Sequence, residues 1–194
     1  MNTKQMTERE WVSSIIEELE IQLRKTSKQI SVVCGHRLSY SREIQDYTLE
    51  NTPNEQISAT YETDILIRES FEDFTWKPRI VIEAKLGRVT THDAITYSQK
   101  AQAHKFVHPY LRYGILLGNI DVAPLPGRLF RHGLHFDFML SWKSSKASSS
   151  ERKGTIEVLN AEIEASRSLE KMLYNSRQRN RDKFTILHRP LILK

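Results

Sequence analysis

Three charged residues stand where charge is costly. Asp64 is set in Tyr-Glu-Thr-Asp-Ile-Leu-Ile, and Glu83 and Lys85 close the run Arg-Ile-Val-Ile-Glu-Ala-Lys. Both segments are rich in β-branched residues and read as apolar core strands. Carboxylates and an ammonium entering such strands carry a large desolvation penalty unless they are paired or bind metal. Side chains two apart on a strand point the same way, so Glu83 and Lys85 share a face, with Ala84 on the other. If the Asp64 strand is the neighbour, two carboxylates and an ammonium could meet on one cation. Magnesium needs only one or two protein carboxylates. Held so, it neutralises charge on a phosphate and acidifies bound water, which is what hydrolysis of a phosphodiester requires. The bland alternative is a structural ion pair between Glu83 and Lys85 at a sheet edge.

The elements that would position these residues can be read around them. Residues 7–25 predict an amphipathic helix, with Thr7 and Glu10 at capping-box spacing and Val12, Ile15, Ile16, Leu19 and Leu23 on one face. Gln29–Cys34 predicts a short strand ended by Gly35, Ile44–Glu50 a further one, and Asn51–Asn54 a turn. Ser58–Arg68 and Arg79–Lys85 are the central strands, joined by the polar stretch Glu69–Lys77. A helix capped by Thr90 or Thr91 runs to about Val107, and Leu111–Leu117 is one more strand. After a proline-containing loop over Asp121–Gly127, His135–Trp142 reads as a strand. Residues 141–154 are a flexible Ser/Lys-rich loop, followed by a helix over Ile156–Asn175 and a closing strand at Phe184–Leu187 or Leu191–Leu193. This order predicts an α/β protein with a mixed central β-sheet flanked by helices. Residues 1–140 form the core, and 155–194 are a C-terminal helix and basic segment of the same domain.

In this order and with these residues, the chain resembles the PD-(D/E)xK nuclease superfamily, the restriction-endonuclease-like fold, over roughly residues 7–118. The resemblance implies that Asp64 and Glu83 bind magnesium, with manganese as a substitute, helped by the Ala84 carbonyl. It implies that Lys85 positions or activates the attacking water, and that Glu20 on the first helix can join the metal site. Glu17, Glu18 and Glu62 are further carboxylates in reach of that reading. The implied function is magnesium-dependent endonucleolytic cleavage of DNA to 5′-phosphate and 3′-hydroxyl products, by a homodimer. The alternatives are an inactive nucleic-acid-binding or scaffolding module of the same fold, or a nuclease for RNA or branched DNA. Thr63 replaces the proline of the motif, and the helix after Lys85 lacks the Gln-x-x-x-Tyr pattern of the exonuclease-like branch.

Asp93, Tyr97, Lys100, His104 and His108 recur at spacings of three and four and make one polar stripe on the helix after Lys85. In the family this helix flanks the site, so Gln99 and Lys100 could contact phosphate. His104 and His108 have the spacing of a zinc pair but lack the companion residues, and a solvated stripe is the simpler reading. Arg128 and Arg131, with His132 and His135, read as a basic loop that could enter a groove. Trp11, Trp76 and Trp142 read as packing residues.

The chain has 194 residues and net charge +5. From Lys171 onward seven basic residues face Asp182 alone, so the excess lies in the C-terminal segment. A basic balance suits a polyanion partner, or is merely a solvated tail. Cys34 is the only cysteine, which excludes internal disulfides and cysteine-rich zinc modules. A polar start and the lack of a long apolar run lead to the expectation of a cytoplasmic protein with no membrane partner.

Overall fold

The computed structural model describes residues 6–120, 125–175 and 186. The chain opens with α1 (Glu8–Arg24), started by the predicted capping box: the Thr7 side chain accepts from the Glu10 amide, and the Glu10 carboxylate accepts from the Thr7 amide. Its apolar stripe, Trp11, Val12, Ile15, Leu19 and Leu23, is buried. A short turn leads into β1 (Ile30–Val33). Gly35, at φ +63°, then turns the chain into β2 (His36–Ile44). The strands β3 (Gln56–Thr63), β4 (Ile65–Ser70) and β5 (Trp76–Leu86) follow, then α2 (Thr91–Val107), β6 (Arg112–Gly118), α3 (Gly127–His132), β7 (Phe138–Ser141) and α4 (Ser149–Asn175).

Five strands form one mixed sheet in the order β1-β4-β5-β6-β7. The pairs β1–β4 and β4–β5 are antiparallel, and β5–β6 and β6–β7 are parallel. β5 and β6 are joined through α2, as parallel neighbours must be joined by a crossover. The fold is therefore α/β with a mixed sheet between helices, as the element order predicts. Burying both faces explains why β5 and β6 read as nearly continuous apolar runs.

The two faces have separate cores. One packs Ile65, Ile67, Ile80, Ile82, Ala84 and Leu116 against α1 and α4, with Trp11 and Trp142 edge-to-face at 5.8 Å. The other packs Leu66, Val81, Tyr113, Ile115 and Leu117 with Ala94 and Ala101 of α2. α4 is fastened to the sheet by buried ion pairs remote from Glu83: Arg79 bridges Glu69 (2.7 Å) and Glu170 (2.6 Å), and Arg167 also meets Glu69.

Four expectations are corrected. Ile44–Glu50 is not a strand. The strand lies before it, as β2, and pairs with β3 in a separate two-stranded ribbon. Both faces of that ribbon carry polar residues, so no apolar run announces it. The segment Ser58–Arg68 is two strands in two sheets, broken at Asp64. Residues 149–154 of the expected flexible loop are the first turns of α4, anchored by the Glu151 carboxylate, which accepts from the amides of Lys143 and Ser148. Arg128 and Arg131 sit on the short helix α3, not on a loop, because Pro126 starts a turn that Gly133 ends. The closing strand expected at Phe184–Leu187 or Leu191–Leu193 lies, apart from Ile186, outside the described residues.

Candidate active site

The site forms where the ribbon meets the main sheet. β3 ends at Thr63, whose hydroxyl donates to the His36 carbonyl (2.9 Å), and β4 begins at Ile65. Asp64 is the single residue between them. The β4–β5 register pairs Ile65 with Ile82, which brings Asp64 beside Glu83. The Asp64 carboxylate accepts from the Ala84 amide at 2.8 Å and is partly buried, while Glu83 is 1% exposed. Glu83 alternates with Ile82 and Ala84, which face α1 and α4, and so points with Val81 toward α2.

Two groups from other elements hold Glu83. The Tyr113 hydroxyl on β6 donates to one carboxylate oxygen at 2.5 Å, and Lys100 Nζ on α2 lies 3.5 Å from the other. Burial, and then the charge of Asp64, push the Glu83 carboxyl up to about 7, against the pull of Lys100 and Tyr113. Burial also raises Asp64, and Glu8 adds to the rise. The Ala84 amide, Lys100 and a hydrogen bond with Glu83 oppose it. Two carboxyl groups thus compete for charge in one poorly hydrated place, a like-charge pair that a cation would relieve. Burial and Glu83 raise the Tyr113 phenol well above its ordinary value, so it stays a donor.

Lys85 emerges at the same end of β5 but does not turn to the pair. Its Nζ lies 3.0 Å from Glu8 and 4.0 Å from Asp93. Glu8 belongs to the first turn of α1 and also accepts from the Leu86 amide at 3.3 Å. Asp93 is N3 of α2 and accepts from the Thr90 amide and hydroxyl. Burial opposes its ionisation, but these bonds and Lys85 hold its carboxyl below the usual carboxylate range. Lys100 is the second ammonium. It lies between two tyrosines, 5.7 Å from the Tyr61 ring centre and 5.4 Å from that of Tyr97, and is 24% exposed.

The structure brings Asp64, Glu83, Ala84 and Lys100 together, with Lys85 beside them. Glu20 is not there. Its carboxylate accepts from the Val32 amide (2.8 Å) and pairs with Arg24 (3.2 Å), bracing the edge strand. The first-helix glutamate at the site is Glu8, because α1 presents its N-terminal turn, not the fourth turn that carries Glu20, to the end of β5. Glu62 is exposed on the ribbon, and Gln99 is exposed on α2. Arg128 donates to the Val89 carbonyl (2.9 Å), bracing the connection between β5 and α2 rather than reaching the carboxylates, and Arg131 is exposed. His104 is fully buried, bonded at 3.1 Å to the Ser39 carbonyl and stacked on Tyr113. Burial pushes its imidazole down to about 4, so it is an uncharged core residue at neutral pH.

The sequence reading missed Glu8 and Tyr113. Glu8 was visible in the capping segment Thr-Glu-Arg-Glu but needed the helix direction. Tyr113 is one hydroxyl inside an apolar strand, and only the parallel register to β5 locates it.

Among the described residues no group of three or more His, Cys, Asp or Glu side chains is arranged to hold a metal ion. The donor set at Asp64 and Glu83 is two hard carboxylates, which fits a magnesium ion that keeps most of its water. Among the described residues, too, no helix is long and apolar enough to cross a membrane. No family model matches the chain, and no curated protein sequence matches it.

Proposed function

We propose that this protein is a metal-dependent phosphodiesterase of the PD-(D/E)xK kind that cleaves DNA endonucleolytically. The observation that carries the reading is the convergence of Asp64 and Glu83 on one side of adjacent strands, with an ammonium from Lys100 at 3.5 Å and Lys85 beside them. A structural ion pair at a sheet edge would bring Glu83 to Lys85. Here Glu83 has other partners, and a second carboxylate shares its pocket.

Asp64 and Glu83 are the residues that would hold magnesium, with manganese as a substitute. When bound, such a cation neutralises charge on a phosphate and acidifies its water. The remaining work falls to the chain's own groups. Tyr113 fixes one oxygen of Glu83, and the Ala84 amide fixes one oxygen of Asp64, so the two carboxylates keep their mutual orientation. Glu8 and Asp93 hold Lys85 at the rim, where its ammonium can orient water beside the phosphate. The net charge of +5, concentrated in the C-terminal segment, favours a polyanionic substrate. A homodimer would allow both strands to be cut, and the lone cysteine is in keeping with a reducing, intracellular setting.

The test incubates wild type and Lys85→Ala with plasmid and linear DNA, in magnesium or in EDTA. Wild type should cut only with magnesium, and Lys85→Ala should lose cutting while still binding DNA. Wild type that binds DNA yet leaves DNA, branched DNA and RNA intact would establish a non-catalytic binding module instead.

A further inference from the structure

We infer that Lys100 is a place-holding cation: it occupies the electrostatic position of the divalent metal beside Glu83 and yields it when the metal binds, turning its ammonium toward substrate phosphate. The inference rests on the proposed metal site and adds a competitor to it.

Three observations carry it. The first is the division of the two ammonium groups. Lys85, which the sequence motif assigns to the carboxylates, faces Glu8 and Asp93, whereas Lys100 lies 3.5 Å from the Glu83 oxygen that Tyr113 leaves free. The second is the environment. Glu83 is 1% exposed and has Asp64 beside it across the β4–β5 register, so little water reaches the pair and Lys100 supplies a positive charge 3.5 Å away. Its distance to Glu83 is longer than a direct charge-assisted hydrogen bond, which leaves a contact that a better cation can replace. The third is what already flanks the ammonium and stays with it when it leaves Glu83. Tyr61, on β3 three residues before Asp64, and Tyr97, one helical turn before Lys100, offer their ring faces to it at 5.7 and 5.4 Å. A flexible four-carbon stem between two rings can swing without leaving the site. Arginine would not serve, since its planar fork would bind Glu83 in two places and resist displacement.

The experiment compares wild type, Lys100→Gln, Lys100→Arg and Asp64→Asn/Glu83→Gln, all without nucleic acid. Magnesium affinity is measured by calorimetry at about pH 8, where free carboxylates are ionised, and the shift in thermal midpoint on adding magnesium is recorded. Lys100→Gln should bind magnesium about tenfold more tightly, on the scale expected when a like charge a few ångströms away is removed. It should also gain more in thermal midpoint than wild type. Lys100→Arg should bind magnesium more weakly than wild type. With DNA present, Lys100→Gln should turn over more slowly despite its tighter metal. If wild type binds magnesium through Asp64 and Glu83 but Lys100→Gln binds it equally or less tightly, the place-holder is refuted and the metal site survives. If wild type and the double variant take up magnesium alike, both readings fall.

Discussion

Replacing Glu83 by glutamine should make the metal-free protein more stable, and the gain should depend on pH. The carboxyl is buried at 1% exposure and titrates in the fold near 7 instead of 4.5, because burial and Asp64 disfavour its charge. Between those values the folded chain holds a proton that the unfolded chain has released, so stability falls as pH rises through this window and is flat above it. Ionising such a group in place costs about 3 kcal/mol. Glutamine keeps the size and an acceptor for Tyr113 but cannot ionise. In EDTA at about pH 8 the Glu83→Gln variant should therefore exceed wild type by up to about 3 kcal/mol, or roughly 6–12 °C in melting temperature for a chain of this length. The attraction to Lys100 is already contained in this figure, because it opposes the rise to about 7. Near about pH 4.5 the two proteins should converge, since Glu83 is then protonated in the fold. Urea unfolding curves across this range read the difference directly. A difference that does not change with pH, or a variant less stable than wild type at the alkaline end, would refute the placement of a strained carboxyl pair at this site.

Arg79→Met should cost about 3–5 kcal/mol, because Glu69 and Glu170 would lose their buried partner. Unchanged urea stability would show that this network does not fasten α4. Tyr113→Phe removes the donor that lowers the Glu83 carboxyl, costing about 1–3 kcal/mol in metal-free protein. It should also move the rising limb of any cleavage pH profile to higher pH, and an unmoved profile would place Tyr113 outside the chemistry. Gly118→Ala puts a Cβ into the Trp11 indole and should cost about 1–3 kcal/mol, with an altered near-ultraviolet circular dichroism spectrum. A wild-type spectrum and stability would contradict the close approach of α1 to β6.

What the sequence made legible follows from periodicity and local chemistry. α1 and α2 could be placed because capping boxes at Thr7 and Thr90 mark their starts and their ends are clean. β5 and β6 were readable because burial on both faces leaves them almost uniformly apolar. The ribbon β2–β3 was half missed, since only Leu38 and Thr63 are buried along it, too few to make an alternating pattern. α3 was missed because six residues are too few to show helical periodicity. At the site, Asp64, Glu83 and Lys85 could be picked out as charges in apolar strands, and Lys100 as part of a polar stripe. Glu8 in place of Glu20, and Tyr113 beneath Glu83, depend on which helix end meets which strand end. That is a property of chain direction in three dimensions, which no local window contains.

The β4–β5 hairpin also fixes which changes in chain length the protein can absorb. Its register is regular from Ile65–Ile82 to Ile67–Ile80 and then shifts between Ile67 and Arg68, so the distal end, with Pro78 and the turn over 71–75, already runs out of step with the site end. Residues gained or lost in that turn leave Asp64 opposite Glu83. A single residue inserted between Arg79 and Glu83 would instead rotate every later side chain of β5 to the other face, burying Glu83 among the apolar partners of Ile82 and Ala84 and sending Ile82 or the inserted residue into its place. Homologous chains should therefore vary freely in length at the 71–75 turn and keep the spacing from Asp64 to the sheet bulge, and from the bulge to Lys85, unchanged.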